Sequence, residues 1–324
     1  GGPRGIISGL GRGALDHRCH PARGRRRGGG LSARAMVQGP PTIFDRRSVR
    51  RHRDRAAGRL AEYDFLLREV ADRMGDCLLD IKRSFPLALD LGCHGGQVAE
   101  VLAGRGGIER LVQCDLSPAM LARATGPRLV ADEEALPFAD GRFDLILSVL
   151  SLHWVNDLPG CFSQIRRALK PDGLFLAALP GGGTLDELRQ AMLAAEVSVL
   201  GGASPRISPF VDAHDAGALM QRAGFSLPVV DTDRIVLSYT DPFAMMAELR
   251  GLGESNAVAE RTRHFTPRAV IDAAAHNYHR EHGDDDGRIP ATFQIITLTG
   301  WAPHESQQKP LARGSGRTPL SDAL

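Results

Sequence analysis

Three carboxylates close three successive apolar runs of the chain: Asp90 in LALD, Asp115 in RLVQCD, and Asp132 after RLVA. The segment after the first run reads LALDLGCHGG over residues 87–96. A glycine-rich loop between a first strand and its helix binds either a dinucleotide or S-adenosylmethionine. The dinucleotide fingerprint needs glycine at three positions, GxGxxG. Counted from Gly92, those positions hold Gly92, His94 and Gln97, so two of the three fail. Asp90 precedes the loop, where its charge would repel a pyrophosphate and attract the ammonium of a methionine moiety. Gly92 and Gly96 let backbone approach a ligand closely, and the next helix N-terminus can receive a carboxylate. Asp115 stands where an acid grips both ribose hydroxyls, and Asp132 can accept from an adenine amino group. Any one of these acids alone is more often a strand-end cap. Three together, at the strand ends where open α/β sheets bind ligands, point to S-adenosylmethionine.

A second group follows the fourth run, in Ser148–Asn156. His153 has the chemistry of a general base, and Trp154 that of a platform for a planar or cationic group; packing under a cap is the competing reading. His304 and Glu305 are candidates to reach the same pocket. His276, His279 and His282, with Asp284, Asp285 and Asp286, offer the donor types of a two-histidine-one-carboxylate iron site. His276 and His282 fall on different faces of a helix, so these residues read as a solvated helix end and no metal site is assigned.

Elements that would hold these groups alternate. Helical spacing runs through Tyr63–Leu79, with strands at Leu87–Leu91, Arg110–Asp115, Arg128–Ala131, Phe143–Leu150 and Leu174–Leu179. Helices are expected at Gln97–Ala103, Pro118–Ala124 and Leu158–Leu169, which makes a parallel sheet covered on both faces. Beyond it, Leu185–Val199, Ala213–Ala223, Phe243–Leu249 and Arg268–His282 read as helices, and Val229–Tyr239 and Ala291–Trp301 as strands. Residues 45–59 are dense in arginine and too poor in apolar spacing to assign.

Charge is distributed unevenly. Residues 1–59 hold 15 Arg against Asp16, Asp45 and Asp54; the remainder holds 25 basic and 35 acidic residues. An acidic body argues against nucleic acid as the ligand. Arg outnumbers Lys 37 to 3, which reads as GC-rich coding. The five cysteines form no CxxC pair, which favours a reducing compartment. No apolar run is long enough to span a membrane. Residues 1–41, with GRRRGGG at 24–30, read as a disordered tail, as sequence upstream of a start at Met36, or as a transit segment. A domain is expected over 42–306, and a loose tail over 307–324.

These residues and blocks make the chain similar to class I S-adenosylmethionine-dependent methyltransferases, and within them to the complex I assembly factor 5 (arginine hydroxylase) family and its bacterial relatives. The superfamily is carried by FPLALDLGC (85–93), ADEEALPF (131–138), FDLILSVLSLHWVNDLP (143–159) and LKPDGLF (169–175). The narrower family is carried by ISPF (207–210), RAGF (222–225), VDTD (230–233), GESN (253–256), PATFQI (290–295) and HESQ (304–307). The methyltransferase that caps a malonyl carrier protein in biotin synthesis resembles the N-terminal half only.

The resemblance implies an α/β, Rossmann-like seven-stranded sheet in order 3-2-1-4-5-7-6, the last strand antiparallel, with a helical cap from 181–225 and 241–282. It places Asp90, Gly92, Gly96, Asp115, Asp132 and Glu133 on cofactor positions, and His94 where the family has glycine. It implies hydroxylation of an arginine in an iron–sulfur subunit of respiratory complex I, with peripheral association to the inner membrane. Alternatives are methyl transfer to a small molecule or carrier-linked carboxylate, and a non-catalytic assembly scaffold. The compartment expected is bacterial cytoplasm if the chain starts at Met36, or mitochondrial matrix if residues 1–35 are a transit peptide. If Asp115 grips the ribose, Asp115→Ala should weaken the cofactor about tenfold or more with little change in folding.

Overall fold

A computed structural model describes residues 42–308. The expectations for residues 1–41, and for nearly all of the tail from 307, lie outside the described residues. Seven strands form: β1 (Ala88–Leu91), β2 (Leu111–Asp115), β3 (Arg128–Val130), β4 (Phe143–Val149), β5 (Leu169–Pro180), β6 (Ser226–Tyr239) and β7 (Ile289–Trp301). They join one sheet in the order β3-β2-β1-β4-β5-β7-β6, as expected. β1 to β5 pair in parallel, whereas β7 runs antiparallel to both β5 and β6.

Side-chain alternation explains why the central strands read as unbroken apolar runs. In β4, Leu145 and Leu147 point into one core and Ile146 into the other; in β5, Leu174 and Leu176 oppose Phe175 and Ala177. Each such side chain contributes roughly 1.5–3 kcal/mol by leaving water. Helix α1 spans Arg46–Ala56 and α2 spans Phe65–Leu79. The stripe of α2 (Leu66, Val70, Met74, Leu78) covers the first face of the sheet. Short helices α3 (Gln97–Val101) and α4 (Pro118–Leu121) follow β1 and β2; Ser117 caps α4 by accepting from Met120 N. On the second face, α5 (Leu158–Ala168) packs Cys161, Phe162 and Ile165 against the sheet.

The two long connections divide their work. α6 (Asp186–Leu200) and α9 (Arg268–His282) pack together, and with α8 (Pro242–Leu252) they join the first core through Leu188, Met192, Met245, Val270 and Tyr278. α7 (Ala213–Ala223), within the segment expected to cap the sheet, lies against α5 and β6 and buries Ala216 and Met220 in the second core. No helix among the described residues is long and apolar enough to cross a membrane.

The arginine-dense segment without an apolar period is helix α1, capped by Asp45, whose side chain accepts from Ser48 N. Its buried residues are Ser48, Val49, Arg53 and Ala56. Val49, Arg53 and Ala56 keep the i, i+4, i+7 spacing of a buried helix face, but with an arginine at its centre that face does not read as an apolar stripe.

Candidate functional site

Asp90, the next-to-last residue of β1, is completely buried with neither carboxylate oxygen meeting a donor. Burial, then the nearby charge of Asp115, pushes its pKa well above the usual carboxylate range. The loop that follows is tightly built. Gly92 (φ 74°) and Gly96 (φ 94°) are left-handed, and a Cβ on Gly92 would overlap Ser151 Oγ. His94 takes the same left-handed region at φ 49°, a conformation that favours glycine. Its ring is buried without blocking the turn: backbone N donates to Asp115 Oδ2 at 3.0 Å, and Nε2 lies 3.2 Å from Val149 O. The Val149 carbonyl can only accept, so Nε2 carries the hydrogen; burial, reinforced by the positive charge of Arg53, lowers the His94 pKa.

Asp115 and Glu133 are fully buried and fully engaged. Asp115 Oδ1 accepts from Ser117 N at 2.7 Å, and Oδ2 from His94 N and from Arg53 Nη1, both at 3.0 Å. Glu133 Oε1 accepts from Ser151 Oγ at 2.9 Å and Arg53 Nη1 at 3.3 Å, while Oε2 takes Arg46 Nη2. Arg53 also donates to Ser151 Oγ at 2.9 Å. Burial opposes ionisation of Glu133, but the charges of Arg46 and Arg53 win and hold it low. Asp132, a third exposed, accepts from Arg46 Nη2 at 2.7 Å. Two arginines of α1 therefore sit on the acids expected to hold ribose and adenine. The donor chemistry fits S-adenosylmethionine at Asp90, where a buried carboxylate lacks a cation, and at the glycine turn. At Asp115 it fits only with Arg53 withdrawn.

The second part of the site lies past β4. His153 and Trp154 sit on a single 3-10 turn, both buried. Each meets the same partner: His153 Nε2 lies 2.9 Å from Glu254 Oε2, and Trp154 Nε1 donates to that oxygen at 2.8 Å. Phe44 packs edge-on against Trp154 at 5.3 Å between ring centres. Burial raises the pKa of Glu254, but His153 and Arg53 outweigh it and bring the carboxyl to about 2. Its second oxygen, Oε1, is buried with no partner, as is His153 Nδ1.

These three side chains stand at one end of a cavity of about 300 Å³ under the cap. Its other walls are mostly apolar, among them Leu66, Leu150, Met192, Phe210, Leu249 and Phe293. A second, more polar cavity of about 620 Å³ adjoins it, sharing Ile207, Ser208 and Phe210. Trp154 orients a carboxylate through its indole N–H. His304 and Glu305 do not reach this cavity. Both are exposed, His304 meets Ser306 Oγ, and Gln307 donates to Asp172 at the start of β5. The histidines of α9 form no close donor group; among the described residues such a group occurs at the exposed Asp212, His214 and Asp215.

Sequence reasoning missed Arg46, Arg53, Ser151 and Glu254 as members of the site. Glu254 stood inside the GESN block, and Arg46 and Arg53 inside a segment whose only signal was its charge.

Comparison with known proteins identifies the family. A family model described as a methyltransferase domain matches residues 89–177. The chain is 43% identical over 287 residues to the mitochondrial arginine-hydroxylase NDUFAF5 of Danio rerio, spanning 86% of this chain and 89% of that one. The Homo sapiens protein of the same name is 44% identical, spanning 84% and 81%. A malonyl-[acyl-carrier protein] O-methyltransferase of Methylovorus is 33% identical over 81% of this chain and 90% of its own. That likeness extends well past the N-terminal half to which it was expected to be confined. A methyltransferase candidate from Bacillus halodurans superposes with a TM-score of 0.50 at 17% identity, over 71% of this chain and 99% of that one, which shows the shared fold. The chain is an enzyme of the class I S-adenosylmethionine methyltransferase-like superfamily and belongs there to the family of the NDUFAF5 arginine-hydroxylases.

Proposed function

We propose that this enzyme binds S-adenosylmethionine through Asp90, Gly92, Gly96, Asp115, Asp132 and Glu133, and that it hydroxylates an arginine of a protein partner, an iron–sulfur subunit of respiratory complex I. The observation that carries this reading is Glu254. Its ionised carboxylate has one oxygen held by His153 and Trp154 and the other unpartnered, at the end of a cavity with apolar walls. A guanidinium supplies planar donors to such an oxygen, and its methylene stem suits the walls. A substrate carboxylate would instead meet Glu254 as a like charge. The adjoining second cavity gives room for an extended protein segment, and the acidic body favours a basic one.

The chain's own residues orient and shield. Glu254 fixes the guanidinium, Trp154 and His153 fix Glu254, and the cap helices exclude water. S-adenosylmethionine, when bound, carries an electrophilic methyl group on its sulfonium. Inserting one oxygen atom into a C–H bond draws instead on dioxygen and a two-electron donor, with the second oxygen leaving as water.

A second reading is methyl transfer to a carrier-linked carboxylate. The malonyl-carrier relatives and the exposed Arg250 on the cavity lining favour it; Arg206, also on the lining, is already held by Glu196. The test is intact-mass analysis of the complex I subunit after incubation with enzyme and a reducing extract. A gain of one oxygen atom, lost in Glu254→Gln, is the expected result. A gain of one methyl group on a carrier-linked carboxylate establishes the second reading, and no gain on either leaves the assembly scaffold. The mitochondrial relatives support a matrix location with residues 1–35 as a transit segment, over the bacterial cytoplasm. Import of the full chain into isolated mitochondria, with or without cleavage, tests that.

A further inference from the structure

Asp115 and Glu133 cannot grip a ribose while α1 is seated. Every oxygen of Asp115 and Glu133 already accepts from the chain's own donors, and both residues are sealed from solvent. Arg46 also bridges Glu133 to Asp132, which is a third exposed and held through Oδ1. We propose that α1 is a displaceable lid on the cofactor cleft and that Arg53 is an intramolecular competitor of the cofactor, holding Asp115 and Glu133 until ribose hydroxyls take its place. This rests on the reading of that cleft as the S-adenosylmethionine site.

The attachment of α1 suits such a part. Of its own residues only Val49 and Ala56 are buried apolar ones, beside the arginine ion pairs; Val49 packs in a small cluster with Phe44, Trp154, Ala257 and Val258, and Ala56 joins the first core. A withdrawn guanidinium regains its hydration, while the acids exchange one set of donors for another, which offsets part of the cost of parting those apolar contacts. Before the helix, Ile43 N and Phe44 N both donate to Asn156 Oδ1 at 2.7 Å, and Arg261 reaches Asp45 and Ser48. After it, the chain continues into a 3-10 segment, Ala57–Glu62, in which Gly58 has open space around it. That segment is the natural hinge. Arg53 also packs its backbone against Gly253, next to Glu254, so lifting α1 loosens the loop that carries the cavity's carboxylate.

A protein whose competent state is a fraction of the total binds more weakly by that fraction. Removing the competitor should therefore tighten binding. The experiment uses the full chain and S-adenosylhomocysteine, with affinity read by calorimetry and opening read by amide hydrogen exchange over Val49–Ala56. On saturation of the wild-type chain, exchange in α1 should speed up. Arg53→Met should bind the ligand about tenfold or more tightly. Because that variant leaves two buried acids without their partner and can lose its fold, Asn156→Ala serves as the second. It loosens the strap without touching a cofactor acid, and should shift affinity and exchange in the same direction. Saturable wild-type binding with α1 exchange unchanged or slowed overturns the lid and leaves the cofactor site standing. Absence of binding by wild type and both variants overturns both.

Discussion

On the α1 side of the cleft, Asp115 and Glu133 have every oxygen taken by donors of the chain itself. At Asp90 and at Glu254 Oε1, equally out of reach of water, no donor is present. Asp90 is sealed and unpartnered, whereas the Glu254 side chain is 21% exposed with Oε1 alone out of reach and unpartnered; burying a carboxylate without a partner costs several kcal/mol unless its pKa shifts or a ligand arrives. The saturated pair behaves as structure until α1 moves. The unsaturated pair marks where charge from outside the chain is missing: a cation beside the glycine turn, and a donor at the end of the cavity. Family resemblance alone puts Asp90 and Asp115 in one class; their hydrogen bonds separate them.

The largest effect comes from breaking the saturated cluster. Glu133→Ala removes a carboxylate shared by Arg46 and Arg53 and leaves Arg53 buried with less compensation. Such losses cost roughly 3–5 kcal/mol, read as a lowered urea midpoint. Asp115→Ala strands the same guanidinium, so it too should be strongly destabilising. This replaces the sequence-based expectation that its folding would change little, because that expectation contained no buried arginine. A variant as stable as wild type would show that α1 is not seated in solution.

Asp90 supplies the next effect, with the opposite sign. Its folded pKa lies above its unfolded one, because burial and then Asp115 disfavour the charged form. Stability from the neutral carboxyl is therefore complete below the unfolded value and is lost as pH climbs toward the raised folded value. Asp90→Asn has no such loss. Its advantage over wild type should widen by up to about 1.4 kcal/mol per pH unit in thermal melts, as pH climbs from the unfolded value toward the raised folded one. Adding S-adenosylmethionine to wild type should narrow that gap, because the ligand's ammonium supplies the missing partner. A pH-independent gap would mean that Asp90 finds a partner within the chain.

Glu254 is shifted the other way, from 4.5 to about 2: burial opposes ionisation, but His153 and Arg53 outweigh it. Stability from this carboxylate is present above the unfolded value and lost as pH falls toward the folded one. Glu254→Gln should match wild type at low pH and fall behind by on the order of 2 kcal/mol as pH rises through that window. Acid titration of both proteins by near-ultraviolet circular dichroism checks it. Equal acid midpoints would mean that His153 does not hold the carboxylate.

The fold was open to sequence reading wherever packing is apolar. β1, β4 and β5 are buried on both faces, and their uninterrupted Leu, Ile and Ala runs announce it. α2 and α5 show helical spacing because each lays one stripe on the sheet. Asp90, Asp115 and Asp132 were legible for a different reason, since a strand's carboxyl end is a fixed address in this architecture. α1 escaped because its inward face, Ser48, Val49, Arg53 and Ala56, has helical spacing but few apolar side chains, and a buried arginine does not announce itself as core. Glu254 escaped because its partners lie about a hundred residues away, on the turn after β4. The reach assigned to His304 failed because β7 runs antiparallel, which returns its end to the start of β5, opposite the cavity.

The smallest expected effect tests whether burial, and not arginine as such, sets these costs. Arg68 on α2 makes as many charged contacts as Arg53, pairing with Asp64 at 2.8 Å and with Glu100 on α3. It is 42% exposed, however, and Glu100 is 51% exposed. Water replaces the lost partner at Glu100; Asp64 is buried, but it keeps a donor in Gln97 Nε2 at 3.2 Å, so Arg68→Ala leaves no carboxylate without a hydrogen bond. The expected cost is below about 1 kcal/mol, and it should shrink further in high salt, where exposed pairs are screened over less than about 10 Å. The Glu133→Ala cost should barely respond to salt, since ions do not enter a sealed cluster. Urea titrations of the two variants at low and high ionic strength give the comparison directly. Equal costs with equal salt dependence would mean that Arg53 is as well hydrated as Arg68, and the distinction between the two sides of the cleft would fall with it.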